Sequence, residues 1–296
     1  MKYLIIFINI LLVLINSSCY NETIKYSESL PETPIKIELG YAHTCALLEN
    51  KKVKCWGLNT YGELGNRTRE RQIQPVNVID LENAIDIALS KLQSCALIDS
   101  GQVKCWGRSI HIEDIDNTTT YNLTPAVVPN LSNATAISGG SSHFCALISD
   151  GTVKCWGWNS FGQLGDGTTD NKTSPVSVSS LTGVTKISVG AEGACAILSD
   201  RTVKCWGGNI NGSTPSLVSS LLNVIDISYK RYHYCAAISD GTVKCWGYNA
   251  HGELGDGTYI DKSSPTLVSS INNAIAVSVG DSSCALISDG TVQCWG

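Results

Sequence analysis

The sequence predicts an all-β protein built from six copies of one four-stranded unit of about 50 residues. Three observations predict it. Cysteines come in pairs ten residues apart, at Cys45–Cys55, Cys95–Cys105, Cys145–Cys155, Cys195–Cys205, Cys235–Cys245 and Cys284–Cys294, and the first members of the pairs lie 50, 50, 50, 40 and 49 residues apart. The text between pairs recurs too, as in "SPVSVSSLTGVTKISVG" and "SPTLVSSINNAIAVSVG". The composition, with 27 Gly, a single Met and only 16% charged residues, suits many short strands joined by turns.

Within a unit the first strand reads like Lys186–Val189, the second like Cys145–Ile148 and the third like Thr152–Trp156, while the fourth follows Pro175. Turn residues separate them, as short antiparallel strands require. Ser149–Asp150–Gly151 reads as a three-residue hairpin loop whose last position is left-handed, a conformation Gly adopts without strain. Gly101, Gly241 and Gly290 hold the same place, with Lys51 and Arg201 as exceptions. Folding about that loop sets Leu147 opposite Val153, Ala146 opposite Lys154 and Cys145 opposite Cys155. Alternation makes the cysteine pair a non-hydrogen-bonded one, where side chains approach closely enough for a disulfide.

Each pair is therefore read as a cross-strand disulfide stapling one hairpin. Zinc sites draw on ligand pairs with two to four residues between them, and redox thiols are typically Cys-X-X-Cys. Six equivalent copies also favour structure over catalysis. Trp56, Trp106, Trp156, Trp206, Trp246 and Trp295 follow the second cysteines, and Lys54, Lys104, Lys154, Lys204 and Lys244 precede five of them by two. Residues two apart on a strand share a face, so the pattern reads as a packing spine between neighbouring sheets.

Residues 1–18 read as an export signal, with Lys2 ahead of an apolar run from Tyr3 to Ile15 that is short for a bilayer span. Cys19, the unpaired thirteenth cysteine, follows Ser17–Ser18 where a lipoprotein signal places its modified residue. Asn16, standing where Leu is usual, leaves simple cleavage nearby as the alternative. Residues 19–34 form an N-terminal segment, and 35–296 the repeats. The net charge of −5 gives no reason to expect nucleic acid, and a membrane is expected only through a lipid on Cys19. Asn21, Asn66, Asn117, Asn122, Asn130, Asn133, Asn171 and Asn211 begin Asn-X-Ser/Thr triplets, open to glycosylation in a eukaryotic secretory route.

The unit "HFCALISDGTVKCWGWNSFGQLGDGTT" resembles the regulator of chromosome condensation repeat, in order, spacing and turn glycines, over roughly residues 35–296. That resemblance implies a β-propeller. The full Asn-x-x-Gly-x-Leu-Gly loop survives at Asn59–Gly65, Asn159–Gly165 and Asn249–Gly255. Family propellers most often have seven blades, whereas six hairpins are visible; a seventh blade stays open if the sequence is incomplete. The last unit stops after its third strand, and "IKYSESL" at Ile24–Leu30 parallels "PVSVSSL" at Pro175–Leu181, so this segment is expected to close the ring against the last blade.

Catalytic, cofactor and metal residues are not expected. His43, His143 and His233 sit two before a cysteine, but Gln93, Gly193 and Ser282 take that place elsewhere, which no shared mechanism would tolerate. His111 and His251 are isolated. Asp166 with Asp170, and Asp256 with Asp261, read as turn formers rather than calcium ligands. Two departures from the repeat stand out. Tyr229, Lys230, Arg231, Tyr232 and Tyr234 crowd into "SYKRYHYC", where Tyr and Arg are types that anchor protein interfaces, and Arg108–Thr124 reads as a polar loop.

The expected protein is thus a monomeric, exported, noncatalytic interaction or scaffold module that binds another protein at the cell surface or envelope. A secreted propeller that inhibits an extracellular hydrolase is the alternative. Nucleotide exchange on a small GTPase, the activity of the best-known family member, comes third, since no exchange wedge is recognisable.

Overall fold

A computed structural model describes residues 33–108, 121–208 and 212–296. The elements that build it are strands, grouped into six antiparallel sheets set as the blades of a six-blade β-propeller. The blades span residues 34–77, 84–127, 134–177, 184–217, 224–267 and 274–295. Five sheets have four strands each, in chain order from one edge to the other, and the sixth has three. The first strands of successive blades touch one another and line the axis.

Local sequence explains each blade. In the third, the strands are Ala134–Gly139, His143–Ile148, Val153–Gly157 and Lys172–Ser177. Gly151 turns its hairpin with a φ of 79°, and the Ile148 N–H donates to the Thr152 carbonyl. Asp150 Oδ1 accepts from the backbone N–H and hydroxyl of Thr152 and closes the turn. Lys51 and Arg201 hold the same left-handed geometry at φ 64°. Cys145 lies opposite Cys155, and all six cysteine pairs are joined with Cα–Cα distances of 4.0–4.1 Å. The fourth strand includes Pro175 rather than following it, which an outer edge tolerates because no partner there needs its missing N–H.

A second correction concerns Arg108–Thr124. Arg108 ends the third strand of blade two and Tyr121–Thr124 begin its fourth, so both ends of that stretch are strand, while residues 109–120 lie outside the described part. Residues 1–18, Cys19, Ile24–Leu30, His111 and the triplets at Asn21, Asn117 and Asn211 lie outside it too.

The core sits between blades. Cys45, Leu47, Val53, Cys55, Leu64 and Val78 of blade one cluster with Leu81, Ala84, Ile87, Leu89, Ala96 and Trp106 around the start and face of blade two. The same pairing of a trailing face with the next leading face repeats through blade six. The Trp is the spine of the seam. Trp106, Trp206 and Trp295 donate their indole N–H to the carbonyls of Glu63, Gln163 and Glu253 in the preceding blade. Lys154, Lys204 and Lys244 reach the carbonyls of Asn130, Ser180 and Ser220 in the connectors that lead into their blades. The loop glycine of the repeat has its reason here: a Cβ on Gly165 would stand 2.7 Å from the Trp206 ring.

Nearer the axis, polar side chains stitch the blades. Ser138, Ser188 and Ser228 accept from the N–H groups of Val189, Tyr229 and Val279, one blade on. Asp86 and Asp226 accept likewise from Ile137 and Val277, and each pairs with a lysine, Lys36 and Lys186. Burial alone would lower the Lys36 pKa, but Asp86 and Glu38 beside it outweigh that and hold it above the usual lysine value.

His43 and His233 belong to these seams. Ser94 and Ser283 in the next blade give their hydroxyl protons to the carbonyls of Glu63 and Glu253, so each His Nε2–H donates to the serine oxygen, at 2.9 and 2.7 Å. At His143 the relay is broken: Ala194 takes the serine position, and both buried ring nitrogens lack a partner. Burial lowers all three histidines from the ordinary 6.5 to about 4.

Three outcomes follow from this packing. Replacing one staple, as in Cys145→Ala with Cys155→Ala, should cost about 2–3 kcal/mol, read as a lowered Tm that added reductant no longer changes at that pair. The three histidines stay neutral in the folded chain but protonate near 6.5 when unfolded, so the unfolded state binds the extra protons. Stability should therefore be full above pH 6.5 and fall progressively toward pH 4, measured by urea denaturation across that window. Ala194→Ser should rebuild the relay at His143 and add about 1 kcal/mol, whereas the same change would destabilise if the site had no room for a hydroxyl.

Candidate interaction surface on blade five

The loops after the first and third strands of each blade emerge on one side of the propeller and are tied together there. Leu58, Trp158 and Tyr248, just after the third strands, donate their N–H groups to the carbonyls of Ala42, Ser142 and Tyr232 between the first two. The longer loops are held from within by a buried asparagine. Asn249 Nδ2 donates to Asp256 Oδ1 and to the carbonyls of Thr258 and Ile260, while its Oδ1 accepts from the Leu254 N–H at 2.9 Å. Asn59 and Asn159 do the same in blades one and three. Asp166 and Asp256 accept from the threonines two residues on, and Asp261 accepts from the Asn249 N–H at 2.8 Å. These carboxylates shape loops.

That frame displays side chains outward. Tyr232, 59% exposed, meets Tyr248 edge-on with centroids 6.3 Å apart, and Tyr248 lies 6.2 Å from the His251 ring. Tyr259 and Ile260 are also exposed in the same loop, and Tyr259 comes close to Gly252 beside His251. The His251 ring sits 3.2 Å from Glu253, whose other oxygen accepts the His251 N–H at 2.8 Å. Desolvation would raise the Glu253 pKa, but those hydrogen bonds outweigh it and lower the carboxyl below its usual value. Glu63, its counterpart in blade one, lacks such a histidine, and there desolvation wins and raises the pKa.

The five residues picked from "SYKRYHYC" divide. Tyr229 and Tyr234 are 4% and 2% exposed and lie in the seam behind blade five, packed inside the molecule rather than on its surface. They stack at 3.9 Å, and Tyr234 stacks in turn on Trp246 at 4.9 Å, where sister blades place smaller side chains. Lys230 is half-buried. Arg231, with a φ of 47°, and Tyr232 form the turn itself, and Arg231 pairs with Asp281 of blade six at 2.6 Å. The outward aromatic character therefore rests on Tyr232 and on three residues that repeat patterning did not single out, Tyr248, His251 and Tyr259. A signal was present: the place just after the third-strand glycine holds Trp158 and Tyr248, and the middle of the Asn-x-x-Gly loop holds Tyr61 and Phe161. Trp158 and Phe161 are exposed on blade three.

Among the described residues, no three His, Cys, Asp or Glu side chains converge as metal ligands would. Arg108 stacks its guanidinium over the Tyr61 ring at 5.3 Å, and Arg69 covers Tyr121 at 4.8 Å. Both cations are occupied with neighbouring rings rather than gathered around a substrate-sized hollow.

Known proteins share this architecture. Yeast RCC1 (Prp20), in its complex with Kap60, is 23% identical, with 89% of this chain and 70% of that one covered at a TM-score of 0.77. Prp20p from Saccharomyces cerevisiae, a protein with binding properties toward Gsp1p and histones, is 24% identical over 89% of this chain and 72% of its own, at 0.76. The entire ectodomain of the receptor kinase CR4 from Physcomitrella patens is 22% identical over 88% of this chain and 63% of its own, at 0.56. Such identities speak for the fold. A family model described as RCC1-like domain matches residues 16–286, and with six hairpin blades following its repeat the chain belongs to the RCC1-like domain family.

Proposed function

We propose that this protein is a noncatalytic interaction module, exported and held at the cell surface or envelope, with Cys19 as its point of lipid attachment. The observation that carries the binding role is the exposed cluster of Tyr232, Tyr248 and His251, with Tyr259 and Ile260 beside it. Large rings with a polar tip, held by rigid loops, lose little conformational freedom on binding and bury much area. Six cysteine pairs at disulfide distance support an oxidising destination. The moss receptor ectodomain is a precedent for this fold outside the cytoplasm, and Prp20p for binding protein partners with it.

An inhibitor of an extracellular hydrolase is the more specific version of the same reading, since ring-bearing loops projecting from a stiff frame suit insertion into a cleft. A dose-dependent block of one such enzyme would select it. Nucleotide exchange on a small GTPase has no support from particular residues of this chain.

The test is saturable binding of residues 20–296 to a protein purified from envelope or extracellular extract, compared with variants. Tyr232→Ala combined with Tyr248→Ala should weaken it roughly 30-fold or more, as for anchors worth about 2 kcal/mol. Arg231→Ala should do much less, because it removes one exposed ion pair. Unchanged affinity in the double variant would overturn the assignment of the binding face.

A further inference from the structure

The seams behind blades two, four and six are each closed by a segment of the preceding blade that reads Gly-x-Leu-Gly, at Gly62–Gly65, Gly162–Gly165 and Gly252–Gly255. The residue before the leucine gives its carbonyl to the indole N–H of Trp106, Trp206 or Trp295. Leu64, Leu164 and Leu254 are fully buried in the seam. The last glycine fits between that Trp and Val78, Val178 or Val268, where a Cβ would stand 2.7–2.9 Å from both side chains. Its carbonyl accepts from the N–H of Ile79, Ser179 or Ser269.

The seam between blades two and three carries the receiving half of this arrangement. Trp156 and Val128 are the counterparts of Trp106 and Val78. Pro129, which has no N–H to give, stands where seam one has Ile79. Asn122 and Leu123, which meet Gly62 in seam one, correspond to Lys172 and Thr173. A hollow of about 110 Å³ open to solvent lies among Gln93, Val128, Pro129, Trp156, Lys172 and Thr173. Gln93 is 7% exposed, and its buried Oε1 has no hydrogen-bond partner. Among the described residues the Trp156 indole N–H finds no acceptor either. The other seam behind a unit that lacks the motif is filled differently, by the stack of Tyr229, Tyr234 and Trp246.

We infer that this hollow binds a loop of a partner protein that carries Gly-x-Leu-Gly, seated as the chain's own segments are in the other seams. Size decides against a metabolite, since pockets for such ligands run to about 300 Å³ or more. One leucine side chain with its adjoining backbone suits the smaller space. The leucine buries apolar surface against Val128 and Trp156, the carbonyl before it accepts from the Trp156 indole, and a loop N–H reaches Gln93 Oε1. Lys172 gives the rim a positive charge that suits the acidic residues flanking such segments, as in "GELGD" at Gly252–Asp256. Pro129 removes one of the bonds that fix the built-in segments, so a loop seated here is free to exchange. The site is separate from the tyrosine surface on blade five and does not depend on it.

Titrating the isotope-labelled protein with the peptide Asn-Ser-Phe-Gly-Gln-Leu-Gly-Asp, the sequence of residues 159–166, tests this. The Trp156 indole and Gln93 side-chain amide signals should shift saturably in the magnetic resonance spectrum, half-complete at about 1 mM or below. A peptide with Asp in place of the leucine should leave them unmoved. Trp156→Phe, read at Gln93, should weaken binding about fivefold. Thr173→Trp, at an exposed rim position, should block it with the core untouched. Tyr232→Ala combined with Tyr248→Ala should bind the peptide as before, which separates this site from the surface on blade five. No saturable shift at the two groups, or an equal shift with the Asp peptide, overturns the inference. A shift that appears only after residues 109–120 are replaced by a Gly-Ser linker overturns it as well and identifies the chain itself as the occupant.

Discussion

Each blade of this protein buries its apolar side chains against the blade that follows, and the rest of the architecture depends on that dependence between neighbours. Leu47 and Val53 face each other across one hairpin, and with Leu64 they become core when Ile87, Leu89 and Trp106 arrive from the next blade. A blade is one sheet thick and two-faced, so it has no interior of its own, and a repeat of such sheets gains stability by stacking. The seam is also where the sequence spends its specialised residues. The indole N–H of Trp106 and the hydroxyl of Ser94 meet at one carbonyl, that of Glu63, and the loop glycine leaves the ring the space it needs.

Polar groups in the seams set a direction as well as a distance. Each axial serine and aspartate accepts from the blade one step ahead, so neighbouring first strands are held in one stagger. Buried polar pairs of this kind add modest net stability but penalise every arrangement that leaves them unpaired. His143 shows that penalty accepted at one seam. The apolar cluster of the same seam, with Leu147, Ile187 and Trp206, is buried all the same.

Much of this was legible from the residues. Period, hairpin register and cysteine partnering followed from alternation, since a three-residue loop between Ile148 and Thr152 permits one pairing of Cys145. Family resemblance supplied the ring. The binding surface was harder to read, because a strand residue and its neighbour face opposite ways, and the run from Tyr229 to Tyr234 shows no polarity change to mark which point inward. Tyr229 and Tyr234 occupy seam positions and so turned out to be core, while Tyr248 and His251 lay hidden inside a repeated loop pattern. Pro175 illustrates another limit: proline marks a strand end in a sheet interior, but on an outer edge it is compatible with strand on both sides.

Each of the six disulfides among the described residues closes within one hairpin, and none of them links one blade to another. Covalent continuity therefore differs from place to place along the chain. A backbone cut in the turn Ser149–Gly151 leaves both halves of the molecule joined through Cys145 and Cys155. A cut in the loop Thr168–Asn171, or between Ser177 and Val184, leaves the two parts held only by noncovalent contacts, strand pairing and seams. The same molecule is thus resistant to severance at its hairpin tips and divisible between its blades, and the gel pattern of a nicked sample without reductant would record where the protease had been.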